Sequence, residues 1–132
     1  MKFAQTVYSI AAAYGFMVLF PLYFLIDRMG ELAPPAVTHP EAYYGFVGVA
    51  LVWQLAFILI ATDPIRYRPL MPITILEKVV YIVPVTILYC LGRVSTAVLL
   101  LSLADPILGI LFLAAYRRTS SLAPTLLTEP RP

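Results

Sequence analysis

The chain has 132 residues, of which 61% are apolar and only 12% charged, and its formal net charge is +2. A soluble domain carries roughly 25% charged residues; one this small could not hide so much apolar surface, so lipid is the expected solvent, for a single domain. The weak charge and the absence of a basic run exclude a nucleic-acid surface, and the lone Cys90 and lone His39 exclude an intrachain disulfide and a Cys/His zinc site. No metal and no cofactor is implied.

The first apolar run covers about residues 3–26, longer than the roughly 20 residues that cross hydrocarbon. Lys2 and the small residues Ala11-Ala12-Ala13 also fit a secretory leader, but the apolar run continues well past them, which favours a retained span. Pro21 should kink its far end and free the carbonyl of Met17. Asp27 to Pro40, with Pro34-Pro35, reads as an extended loop ending in a capping box, Thr38 as N-cap and Glu41 at the third helical position.

A second span follows over about 42–62, with Tyr43 and Tyr44 at the level of an aromatic belt. Gly45 and Gly48 offer close helix approach, and Gln54 lies near the middle. The loop Asp63 to Pro72 is punctuated by proline and carries Arg66, Tyr67 and Arg68, an interfacial set that would hold it to anionic lipid or bind an anionic ligand. Thr74 and Glu77 repeat the capping-box pattern at the start of a third span, about 74–91. This places Glu77 and Lys78 within or at the edge of the membrane, with Lys78 snorkelling. Gly92 then marks a helix stop and Ser95 a helix start, and the fourth span covers about 96–116. Residues 1–118 form the predicted transmembrane domain, and 119–132 a disordered cytoplasmic tail.

Positive charge is uneven. Lys2, Arg66, Arg68, Lys78, Arg117, Arg118 and Arg131 fall on one side, and Arg28 and Arg93 on the other. The positive-inside rule therefore predicts an antiparallel, all-helical four-span bundle with both termini in the cytoplasm of a bacterial inner membrane.

Asp105 lies inside the fourth span, and a carboxyl in hydrocarbon points to function by default. Counting from the cytoplasmic ends at 1.5 Å per residue puts Asp105 about 16 Å deep, Tyr14 about 15 Å, Gln54 and Tyr81 about 12 Å, and Glu77 about 6 Å. The expectation is a buried polar layer of Tyr14, Gln54, Tyr81 and Asp105. Asp105 should share a face with Ser102 and Gly109, beside a kink at Pro106 that frees the Ser102 carbonyl. With no cation assigned to its depth, Asp105 would be neutral unless Lys78 reached inward to pair with it. Three uses remain open for the layer: a packing lock with Tyr81, a proton or ligand site, or a contact to another membrane subunit. Nothing catalytic emerges, because Ser9, Ser95, Ser102, Ser120 and Ser121 have no histidine within topological reach.

The layout, with Tyr44-Gly45-Phe46-Val47-Gly48-Val49-Ala50 and Asp105-Pro106-Ile107-Leu108-Gly109-Ile110-Leu111-Phe112, resembles the small four-helix bacterial membrane proteins grouped as DoxX-like. That resemblance implies a link to quinol oxidation, for which the name-giving members are known. In size and helix count the chain also resembles small multidrug exporters, but its first span lacks their acidic residue. The expected function is that of a non-enzymatic accessory or structural membrane subunit in the lipid bilayer, with a membrane-protein partner or a homo-oligomer. The alternative is a small transporter or a quinone or lipid binder using Asp105.

Overall fold

The computed structural model describes residues 1–120, which are helical in all their regular structure. Helix α1 (Lys2–Leu19) passes into a 3-10 turn at Phe20–Phe24; α2 (Ile26–Leu32) is short; α3 runs from Pro40 to Thr62. A second 3-10 turn, Arg68–Leu70, leads into α4 (Met71–Cys90), and α5 (Thr96–Ser102) is followed by α6 (Ala104–Ser120). Four stretches are long and apolar enough to cross a membrane: Lys2–Phe24, Pro40–Thr62, Arg68–Cys90 and Thr96–Ser120. By length and composition this is a helical membrane protein.

The prolines explain where the helices change. Pro21 has no N–H for the Met17 carbonyl, and α1 tightens to 3-10 geometry there. Tyr43 donates to the carbonyl of Leu22 at 2.8 Å, tying this turn to α3. Pro106 acts in the same way on Ser102, and the fourth span breaks between α5 and α6 at Leu103.

Between the third and fourth spans the helix stop predicted at Gly92 is a Schellman motif. Gly92 has φ 68°, its N–H donates to Tyr89, and Arg93 N–H donates to Leu88 at 2.8 Å. Ser95 caps α5 by accepting from Val98 N–H at 3.4 Å.

Helix α1 packs on α3 and α6, and α4 packs on α6. The core lies where α1, α3 and α6 meet and is aromatic at its centre. The Tyr8 and Phe112 rings stack at 4.4 Å between centroids, and Phe57 meets both edge-on. Tyr8, Phe57 and Phe112 are fully buried.

Several boundaries differ from expectation. Part of the Asp27–Pro40 stretch is helix α2, whose first turn gains an acid, Asp27, where the helix dipole favours one. Thr38 does not cap α3: the helix starts at Pro40, His39 is the N-cap, and Glu41 bonds the His39 ring at 3.2 Å instead of capping. Thr74 does not begin α4, which starts at Met71 with Pro72 in its first turn, where a missing N–H costs nothing. Thr119 and Ser120 belong to α6 and not to the tail; the remainder of the predicted tail lies outside the described residues.

Candidate functional site: an ionic triad between two spans

The earlier start of α4 moves its charged residues inward. Lys78 stands ten residues after Arg68 and twelve before Cys90, near the middle of the third candidate span. The side chain cannot snorkel from there, and only 9% of it is exposed.

Its ammonium is held between two carboxylates. Lys78 Nζ lies 3.0 Å from Asp105 Oδ1 on α6 and 3.0 Å from Glu77 Oε2 on its own helix. It donates a hydrogen bond to Glu77 Oε1 at 3.2 Å. The two 3.0 Å approaches are charge contacts without hydrogen-bond alignment, and Glu77 Oε2 is left buried with no hydrogen-bond donor. The Phe57 ring lies 5.4 Å below the ammonium and gives it a cation–π contact. Gly109, one turn beyond Asp105, faces the Lys78 stem: a Cβ there would meet Lys78 Cβ at 3.5 Å, an ordinary van der Waals contact.

Exposure rises across the triad, from 9% for Lys78 to 20% for Asp105 and 32% for Glu77. The cluster is closed toward the core and opens at Glu77. Its formal charges sum to one surplus negative charge, and the groups acting electrostatically on Glu77 are Lys78 and Asp105. In hydrocarbon, an arrangement of this kind is tolerable only if the charges meet one another closely.

The expected polar layer is partly assembled. Gln54 is buried on α3, with its amide donating to Ala50 O at 2.9 Å and its Oε1 unpartnered. Its partner on α1 is Gly15, not Tyr14: a Cβ on Gly15 would overlap the Gln54 amide. Tyr14 is 42% exposed and points out of the bundle. Tyr81 is half-buried and makes no hydrogen bond to Asp105; its ring stacks on Phe46, 6.2 Å between centroids. Ser102 is buried as expected, but it lies in α5, across the break from Asp105, and donates to Leu99 O at 2.7 Å.

A second buried polar contact was not foreseen. Thr74 donates to Met71 O at 2.8 Å, which uses its only proton, so Tyr8 OH is the donor in the 2.8 Å bond between the two hydroxyls. This ties α1 to α4. A tyrosine in an apolar run carries no sequence mark that separates it from a lipid-facing one.

The interfacial set gathers at one end. Arg66 N–H donates to Asp63 Oδ1 at 3.0 Å, and the Arg66 guanidinium lies 5.5 Å over the Tyr67 ring. Arg68 lies 4.0 Å over the Tyr116 ring and Arg118 lies 4.2 Å over Phe3. Among the described residues, no three His, Cys, Asp or Glu side chains gather as metal ligands would.

Fold and site define a helical membrane protein with a three-charge cluster at mid-span. No family description, curated protein or solved structure matches the chain.

Proposed function

We propose that the chain is a non-enzymatic accessory or structural subunit of a bacterial inner membrane. On this reading it is an antiparallel four-span bundle, and the triad is the lock that fixes α4 on α6. The observation that carries the proposal is the 3.0 Å approach of Lys78 Nζ to Asp105 Oδ1, because it joins two spans through charges that have no water to turn to.

The topology follows from the distribution of cations. With Lys78 inside the span, Lys2, Arg66, Arg68, Arg117 and Arg118 still outnumber Arg28 and Arg93, which supports cytoplasmic termini. Exposed apolar residues along the spans, among them Val49, Val52, Leu76, Val80, Leu101 and Ile110, supply the lipid-facing surface and any contact with a partner subunit or a second copy.

A second reading rests on the surplus carboxylate. One bound proton would neutralise the triad, and a protein that binds and releases that proton could drive a small transporter or gate a lipophilic ligand. One substitution separates the two readings. Asp105→Asn leaves Lys78 paired with Glu77 and keeps a polar group facing it. A lock should keep its fold and its co-purifying partners in that variant. A proton switch should lose activity while remaining folded. Loss of fold in Asp105→Asn, read by size-exclusion profile and thermal melt in mild detergent, would count against both.

A further inference from the structure

The arginines at one end of the bundle are independent of the triad. Three segments meet there: the start of α1, the link from Asp63 into α4, and the end of α6. They are tied by Arg68 over Tyr116, by Arg118 over Phe3, and by Thr119 Oγ1 at 3.7 Å from Met71 Sδ. Lys2, Arg66, Arg117 and Arg118 are exposed, and Arg68 is half-buried.

Asp63 is the one carboxylate of the connecting loop, and its Oδ1 is engaged by the Arg66 backbone N–H. Neither Arg66, Arg68 nor Arg117 forms a salt bridge among the described residues. Arg68 also has its Nε buried without an acceptor.

An aromatic ring takes the face of a guanidinium and leaves the N–H groups along its edge free to bond. A guanidinium held flat in this way has lost its rotamer freedom before any ligand arrives, and its fork matches a pair of phosphate oxygens. We infer that this collar is a binding surface for the phosphodiester headgroup of an anionic phospholipid, with Arg68 on its Tyr116 platform as the specific ligand. Its place at the ends of the membrane spans favours a lipid over a soluble phosphate, because headgroups are concentrated at that level.

Diffuse attraction to anionic lipid depends on net charge alone, whereas a built site depends on the fork and on the ring beneath it. In the test, the full chain is purified in a neutral maltoside detergent and titrated with short-chain phosphatidylglycerol or phosphatidylcholine. Retention is read by native mass spectrometry. Phosphatidylglycerol should be retained in preference to phosphatidylcholine. Arg68→Lys and Tyr116→Leu, both silent in net charge, should each weaken retention by roughly tenfold, and Tyr116→Phe, which keeps the ring, should not. Unchanged retention in Arg68→Lys would overturn the site even if Tyr116→Leu failed to fold. Displacement of the lipid by inorganic phosphate would overturn the assignment to a lipid headgroup.

Discussion

Gly15 lies directly under the Gln54 side chain, so the smallest residue of α1 is what allows a buried amide to sit between α1 and α3. Gly15→Ala should therefore cost about 1–3 kcal/mol through overpacking, and Gln54→Ala in the same chain should recover most of it. Gly45→Ala should be nearly silent, since nothing lies within 4 Å of the added carbon. Thermal unfolding in detergent of the three variants checks this. Asp105 and Gln54 were both legible in the sequence, because a polar group in an apolar run has to face something. Their partners were less so. A helix that is apolar all round gives no phase, so nothing in the first span distinguishes Tyr14 from Gly15, although one residue's step turns the face by about 100°. Lys78 was hard to read for a different reason: a lysine near a presumed helix start is expected to snorkel, and α4 starts earlier than presumed, at Met71.

At the scale of elements, the Gly92 turn and the Ser95 cap were readable because each needs a particular residue type. Gly92 holds φ 68°, a region that strains any residue with a Cβ. Gly92→Ala should cost about 1–2 kcal/mol, measured by the same unfolding assay, and should loosen the junction between α4 and α5 without touching the triad. The start of α4 was not readable. Pro69 and Pro72 look like breakers in a loop, yet Pro72 occupies a helical first turn, where proline is well suited. The earlier start, at Met71, sets Glu77 and Lys78 three residues further into their helix than expected. It also turned Thr74 from a supposed cap into a buried acceptor for Tyr8.

For the whole molecule, the four spans were legible from composition alone, since each is a run of apolar residues of the required length. How they pack was not, because lipid-facing and core-facing residues are equally apolar. The proposed topology makes a direct prediction: a reporter fused after Ser120 should behave as cytoplasmic, and one inserted between α2 and α3, in the link 33–39, as external. A C-terminal reporter found outside would remove the topology. The central claim, that the triad locks α4 to α6, is tested most directly by a double-mutant cycle on Lys78 and Asp105, read as unfolding free energy in lipid bicelles. Lys78→Met strands two carboxylates and should cost about 3–5 kcal/mol. Asp105→Leu leaves Lys78 paired with Glu77 and should cost about 0.6–2 kcal/mol. If the two side chains act as one contact, the double variant should lose less than the sum of the single losses, by about 1 kcal/mol or more. Losses that add to within roughly 0.5 kcal/mol would contradict the lock.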